Sequence, residues 1–381
     1  MKIIFDEKPA LIITVNGPGE LFYWVRPLLN TLFTNKVPIQ VWVFLTPCQF
    51  STGREQEALQ KNQLVTRIFS PPETKLICWG RSSLVFPQKG LVLFLGGDIL
   101  NAVLLKKRSG YPLWVYGSYL RWLKHVDLYL ARYRCDYERY QFTHKKFIGD
   151  LLYSYVKQWN SLLNKNNSNH FFSGSPRILF LPGSRSLAYQ FVLNFYQQIA
   201  ALIQELYSNA SFAIGFPGYY SEGDIPSLGE PPLSIPLYFG VTSHLISHAD
   251  ITLTIPGSNN MELFYRKRKA LILLPLESTY QDIPLTGIPE LIGKIPGIGP
   301  IIKRKIIQSL NHREKWVSLP NILMNREIYP ELRGKVHCND VVLKVNELIH
   351  GSPWDIEVPE NDFPSSADLV LSQMIEESIL C

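Results

Sequence analysis

The chain has 381 residues, 46% of them hydrophobic and 18% charged, which suits an ordinary globular protein of two domains rather than a single core. No apolar run reaches the ~18–20 residues that a bilayer crossing needs, and Asp6, Glu7 and Lys8 break any leader-like stretch, so no signal peptide is expected. The net charge of +6 hides an asymmetry: seven of the 32 acids and no Lys or Arg lie in residues 352–381, leaving 38 basic against 25 acidic side chains in residues 1–351.

Apolar, β-branched runs recur along the chain with helix-like segments between them. "ALIITVNG", "PIQVWVFL", "GLVLFLGG" and "PLWVYG" come first, and "DLYLARY" is a weaker element of either type. "RILFLPGS", "SFAIGFPG", "ADITLTIPG" and "KALILLPL" follow in the second half. Near-continuous apolar runs closed by Gly or Pro predict strands buried on both faces, as in parallel sheets. The polar stretch "NKNNSNHFFSGSP" (164–176) reads as a linker. The expected organisation is a Rossmann-like domain over 1–163, that linker, a second Rossmann-like domain over 177–351, and the acidic tail 352–381. The tail is either a solvated segment or a helix docked on the basic body or on a second copy of the chain, as in a homodimer. Five scattered cysteines suit a reducing compartment and match neither a disulfide framework nor a zinc spacing.

Ligands of open parallel sheets sit beyond the carboxyl ends of the strands. Three strand ends here run into Gly/Pro turns: "LIITVNGPGEL", "ILFLPGSRS" and "TLTIPGSNNMEL". Glycine lets backbone approach a ligand, and the free N–H groups of a helix start favour an anion. Gly257, Ser258 and Asn259 are expected to form such a turn, with Ser258 or Asn259 capping the next helix. Glu262 falls one turn in, placed either to accept ribose hydroxyls or simply to meet the helix dipole. Arg185 either neutralises a phosphate or is a solvated surface arginine.

The second half resembles lipid-A-disaccharide synthase through "ILFLPGSRS", "ISHADITLTIPGSNNMEL", "KALILLPL" and "WVSLPNILMNREIYPEL", in that order over roughly residues 177–349. The opening "NGPGELFYWVRPL" is closest to the divergent synthase-like proteins of cyanobacteria and plastids. The resemblance implies an α/β protein of the GT-B fold, two Rossmann-like domains with parallel sheets facing a central cleft. It implies an inverting hexosyltransferase that moves a glucosamine-type sugar from a UDP-sugar to a lipid-linked acceptor, in the cytoplasm or plastid stroma at a membrane surface. It places Gly183, Ser184 and Arg185 near the diphosphate, with Gly257, Ser258 and Asn259 at the small-residue turn. Glu262 would meet the ribose, and Asn321, Arg326 and Glu327 would lie beside the nucleotide. A UDP-N-acetylglucosamine epimerase-like isomerase and a non-catalytic nucleotide- or lipid-binding descendant are the alternatives.

The first half departs further from the family. Its opening loop is Asn16-Gly17-Pro18-Gly19-Glu20, and "GGDILNAV" keeps a single acid. An inverting transfer needs a base for the acceptor hydroxyl and positive charge or N–H groups for the departing diphosphate. Asp98 is the first choice of base and Glu20 the second, with Gly17 and Gly19 as acceptor-side backbone and Trp24 and Arg26 lining the acceptor site. Helix capping is the alternative role for either acid, and Pro27 is expected to kink or restart the helix there. No metal or other cofactor is expected. Residues 282–310, rich in Ile, Leu, Pro and Gly with interspersed cations, suit contact with a membrane surface. No nucleic-acid module accompanies the charge, so no nucleic-acid partner is expected.

Overall fold

A computed structural model describes residues 8–47, 55–60, 64–163, 171–183, 189–225, 233–275, 315–351, 356–358, 366–377 and 379. The chain divides into two compact units, one of residues 1–162 with 359–381 and one of residues 163–358.

Unit 1 is built on seven parallel strands in the order β3-β2-β1-β4-β5-β6-β7. They are β1 (Ala10–Val15), β2 (Gln40–Leu45), β3 (Val65–Phe69), β4 (Gly90–Phe94), β5 (Leu113–Gly117), β6 (Leu128–Ala131) and β7 (Lys145–Phe147). β1 shows why its run reads as continuously apolar. Leu11, Ile13 and Val15 point into one buried cluster, while Ala10 and Ile12 point into the other, as the two-residue period of a strand requires. The first cluster is covered by α1 (Arg26–Thr34), the start of a helix over Leu151–Leu163 and a helix over Ser366–Glu376. Beneath the opposite face lie residues of two helices, Pro71–Cys78 and Ile99–Ser109. With α2 over Glu55–Gln60, those two become α3 and α4. The remaining helices of this unit are α5 (Arg134–Arg139), α6 (Leu151–Leu163) and, after those of unit 2, α12 (Ser366–Glu376).

The acidic tail folds back onto this unit. Ala367, Val370, Leu371 and Met374 of α12 enter the core beside α1, the Ala367 N–H donates to Ser154 Oγ at 3.1 Å, and Glu376 pairs with Lys146 at 2.8 Å. The helix-restart expected at Pro27 takes the form of a widened turn. Pro27 has no N–H and its ring crowds the carbonyl four residues back. The backbone answers with a π-turn over Leu21–Val25, closed by the Arg26 N–H on Leu21 O.

Unit 2 holds six parallel strands in the order β10-β9-β8-β11-β12-β13. These are β8 (Arg177–Leu181), β9 (Ser211–Phe216), β10 (Leu237–Phe239), β11 (Ile251–Thr254), β12 (Ala270–Pro275) and β13 (Glu331–Gly334). Among the described residues its helices are α7 (Tyr189–Leu206), α8 (Thr242–His248), α9 (Ser258–Tyr265), α10 (Leu319–Met324) and α11 (Cys338–His350), with α7 and α11 packed together over one face. The described part of the expected linker belongs to this unit: Phe171 meets Tyr238 edge-on at 5.2 Å, and the Ser175 N–H donates to Asn209 O at 2.7 Å. Residues 282–310 lie outside the described residues. Among the described residues no helix is long and apolar enough to cross a membrane.

Candidate functional site

In each sheet the strand order reverses beside the first strand: β1 lies between β2 and β4, and β8 between β9 and β11. Connections leave such a pair in opposite directions, so the loops at the carboxyl ends part and leave room for a ligand. Among the described residues, Gly17, Gly19, Glu20, Asp98, Gly183, Gly257, Ser258 and Asn259 lie just beyond the carboxyl ends of β1, β4, β8 and β11.

In unit 1 the loops after β1 and β4 are interlocked. A Cβ on Gly96 would stand 3.0 Å from Asn16 Oδ1 and 3.2 Å from Glu20 Cγ, and one on Gly97 would stand 2.1 Å from Thr46 Oγ1. A Cβ on Gly17 would stand 2.3 Å from Glu20 Oε2. These glycines therefore admit the chain's own Asn16, Glu20 and Thr46. Gly19 lies inside the short turn Pro18–Glu20 that carries Glu20. Glu20 is half-buried, and burial pushes its carboxyl above the usual carboxylate range against a backbone hydrogen bond and the charge of Arg132. Asn16 Oδ1 beside it is buried without a hydrogen-bond partner, an acceptor that a ligand hydroxyl or N–H would satisfy.

Asp98 has a different task. It is exposed and caps α4, its Oδ1 accepting the Leu100 N–H at 2.9 Å. Of the two roles open to it in the sequence, the geometry shows capping.

Beyond Glu20, at the carboxyl ends of β5, β6 and β7, lies a buried polar cluster that sequence reasoning missed. Asp150 accepts from Arg132 Nη2 at 2.8 Å, Tyr133 Oη at 3.2 Å, Tyr116 Oη at 3.3 Å and the Leu152 N–H at 3.0 Å. The Arg132 guanidinium lies 5.1 Å over the Trp24 ring and 4.7 Å over that of Tyr133. The π-turn thus aims Trp24 at the cluster, whereas Arg26 stacks on Phe22 and Trp159. No motif marks Arg132 or Asp150, because their meeting depends on strand order.

In unit 2, Gly183 follows β8 with φ +86, a conformation natural to glycine, and a Cβ there would meet Ile255 Cδ1 at 2.7 Å. Ser184 and Arg185 lie outside the described residues. After β11, Gly257 is the N-cap of α9. The cap expected from Ser258 or Asn259 comes instead from Asn260, which is fully buried. Its Oδ1 accepts the Gly257 N–H at 3.0 Å and its Nδ2 donates to Ile255 O at 3.2 Å. Asn260 thereby holds the turn from beneath. Among the described residues a Cβ on Gly257 would meet nothing within 4 Å.

Glu262 is not presented to solvent. Its side chain is 0% exposed and accepts from Arg266 Nε at 2.9 Å, with Arg266 only 3% exposed. Arg266 also reaches Ser247 Oγ on α8 at 3.4 Å. The arginine four residues on was the readable signal, since i,i+4 neighbours share a helix face.

Asn321 is likewise buried and engaged within the chain. Its Oδ1 accepts the N–H groups of Ile328 and Tyr329 at 2.7 and 2.8 Å, and its Nδ2 donates to Tyr329 O at 2.7 Å and Glu331 Oε1 at 2.9 Å. Glu331 also accepts from the Val317 and Ser318 N–H groups. This amide bolts α10, which packs against α9, to β13. Its two donors and two acceptor sites are all used, leaving none for a nucleotide. Arg326 and Glu327, at the end of that segment, are exposed. Asn321→Ala should cost about 2–3 kcal/mol of unfolding free energy, because it strands buried backbone groups, as urea denaturation would read.

Neither a known family model nor a curated protein sequence matches the chain. Solved structures do. UDP-GlcNAc 2-epimerase from Neisseria meningitidis, bound to UDP-GlcNAc, is 12% identical with a TM-score of 0.58, covering 96% of this chain and 100% of its own. MnaA from S. aureus, in a co-structure with UDP, is 13% identical with a TM-score of 0.57 over 98% and 97% of the two chains. A glycotransferase of kitacinnamycin is 11% identical with a TM-score of 0.52 over 96% and 100%. The likeness is one of fold: the chain is an α/β protein of the GT-B type, with two Rossmann-like domains built on parallel sheets of seven and six strands.

Proposed function

We propose that this protein is a glycosyltransferase that moves a glucosamine-type sugar from UDP to a lipid-linked acceptor, in the manner of lipid-A-disaccharide synthase. The observation that carries the reading is the pair of loop sets at the two strand-order reversals, one with a glycine turn that no described side chain covers and one with a desolvated carboxylate. Unit 2 holds the donor. Its diphosphate lies over Gly257 and the first turn of α9 and near Gly183, with Gly257 held from beneath by Asn260. Arg326 and Glu327 remain available to the nucleotide at the end of the last motif. UDP-GlcNAc and UDP occupy the similarly folded proteins from Neisseria meningitidis and S. aureus, which supports a UDP-sugar here.

Unit 1 takes the acceptor. Glu20 accepts the proton of the acceptor hydroxyl as that oxygen bonds to the anomeric carbon, and UDP leaves with the pair of electrons from the broken bond. Asn16 Oδ1 orients the acceptor, and Asp98 caps α4. A raised carboxyl pKa strengthens the base. The base must be ionised, so the rate should fall as pH drops through a value above the usual carboxylate range.

The first test is stabilisation by UDP. UDP at about a hundredfold over its Kd should raise the unfolding free energy by ~2.7 kcal/mol. Gly257→Val should fold normally, since its backbone is extended at φ 169 and its Cβ meets none of the described residues, yet lose that response. No stabilisation by UDP or UDP-sugars in the parent protein would end the reading. With a lipid acceptor, Glu20→Gln should lower kcat by about 10²–10⁴-fold, while Asp98→Asn should leave most activity. The reverse result would return the base to Asp98.

The second reading, an isomerase on UDP-N-acetylglucosamine, is favoured by the fold likeness to 2-epimerases. It predicts turnover of the sugar nucleotide with no lipid present. A non-catalytic descendant would bind UDP and be indifferent to Glu20→Gln.

A further inference from the structure

The amino ends of the unit 2 strands carry a cavity of about 320 Å³, on the opposite edge of the sheet from Gly183 and Gly257. Arg177 opens β8 and Asp250 precedes β11, and the length of β8 sets ~13 Å of strand between this edge and the glycine turns. One wall is the end of the linker, and it is anchored. The Ser175 N–H donates to Asn209 O at 2.7 Å and Ser211 Oγ donates to Gly174 O at 3.2 Å. A Cβ on Gly174 would stand 2.0 Å from Asn209 O, so the absence of a side chain is what lets the wall come this close. Phe171, edge-on to Tyr238, lies 6.2 Å from the rings of His244 and His248 on α8.

The lining joins a flat apolar surface to positive charge. Phe172 is half-buried there and, unlike Phe171, meets no other ring among the described residues. Arg177 donates to Asp250 through Nε at 3.1 Å and Nη2 at 2.6 Å, and its backbone N–H donates to the same carboxylate at 2.8 Å. A guanidinium has donors beyond those two, and Nη1 meets no acceptor among the described residues. His248 Nδ1 lies 2.8 Å from His244 O. A carbonyl only accepts, so Nδ1 carries the proton and Nε2 remains for a ligand. Ser173 and Ser175 add hydroxyls to the rim. Arg268 stands close by: burial and the charges of Arg266 and Arg177 lower its proton affinity against the charge of Asp250. The one carboxylate of the lining, Asp250, is thus already spent on Arg177, while cationic donors are left over.

We propose that this cavity binds a small aromatic anion, a flat ring stacked on Phe172 and bearing a phosphate or carboxylate held by Arg177 Nη1, His248 and the Ser173 hydroxyl. A bare anion would leave the phenyl face unused, and a neutral ring would leave the guanidinium donors unmet. At about 320 Å³ the cavity lies at the small end of ligand sites, ~300–1,000 Å³, which suits one ring system with one anionic group. Because one wall is the described end of the linker, a ligand here holds that segment to unit 2. The site asks nothing of the donor loops, and a protein silent to UDP would keep it.

The test is calorimetry of the full chain with AMP, benzoate and inorganic phosphate. One or both aromatic anions should bind at least about fivefold tighter than inorganic phosphate, the least that a stacked ring contributes. AMP alone would assign a phosphate, and benzoate alone a carboxylate. Phe172→Ala should weaken the aromatic ligand about fivefold to a hundredfold, and Arg177→Lys about tenfold, since an ammonium keeps the charge and loses the fork. In NMR spectra of labelled histidines the His248 ring signals should move with the ligand while those of His125 in unit 1 stay. UDP stabilisation should be unchanged in Phe172→Ala, and aromatic-anion binding should survive Gly257→Val. Binding lost in Gly257→Val and kept in Phe172→Ala would move the ligand to the donor turn and overturn the proposal. So would inorganic phosphate binding as tightly as the aromatic anions, or neither of them binding.

Discussion

Arg266→Ala is expected to lower the unfolding free energy by about 3–5 kcal/mol, the cost of leaving one charge of a buried pair without its partner. Both side chains of the Glu262–Arg266 pair are almost wholly withdrawn from water. A surface pair at the same spacing would contribute only ~0.3–0.5 kcal/mol, so the magnitude itself distinguishes the two settings. Urea denaturation of Arg266→Ala, Glu262→Gln and the double variant beside the parent makes the cycle. The double variant should recover part of the loss, because a neutral amide costs less to bury than a lone carboxylate. A loss below about 1 kcal/mol would mean that the pair is solvated in solution. UDP binding adds a second readout. If Glu262 acts through the turn it supports, Glu262→Gln should weaken UDP modestly, whereas Gly257→Val should abolish its effect.

Asp150→Ala should cost a similar ~3–5 kcal/mol, for a different reason. Asp150 is the acceptor on which Arg132, two tyrosine hydroxyls and a backbone N–H converge. Removing it leaves a mostly buried guanidinium beside Trp24 and Tyr133 without its counter-charge, in the neighbourhood of Glu20. An uncompensated Arg132 would favour the ionised form of Glu20, so the Glu20 carboxyl should titrate at lower pH in Asp150→Ala than in the parent. Carbon-detected NMR titration of the glutamate carboxyls reads this directly. An unmoved Glu20 titration, with the stability loss present, would mean that the cluster is structural only.

Strand identity was most readable where both faces of a strand are buried. β1, β2, β4, β5, β8, β9, β11 and β12 all match apolar runs in the sequence, and the ambiguous "DLYLARY" is β6. The strands that escaped are β3, β7, β10 and β13, the outermost of each sheet. An edge strand is paired on one side and partly solvated, so its side chains carry no continuous apolar pattern. In β3, Thr66 and Arg67 are exposed, and β13 reads Glu-Leu-Arg-Gly. In "WVSLPNILMNREIYPEL" the packing was not legible: Asn321 and Glu331 lock that segment to itself, while Arg326 and Glu327 stay exposed.

The candidate loops were legible because glycine and proline turns after apolar runs mark strand ends wherever the strands later sit. Their chemistry was not. Two carboxylates, Glu20 and Asp98, look alike in one dimension, each a few residues past a strand. The fold parts them, because burial raises the proton affinity of one while the free end of a helix claims the other. Local composition thus sufficed for the α/β class, the strand–turn–helix grammar and the positions of the turns, all of which depend on neighbours in the chain. Which acid is desolvated and which arginine faces which carboxylate were decided by packing, since those outcomes depend on residues that meet only after the sheets have formed.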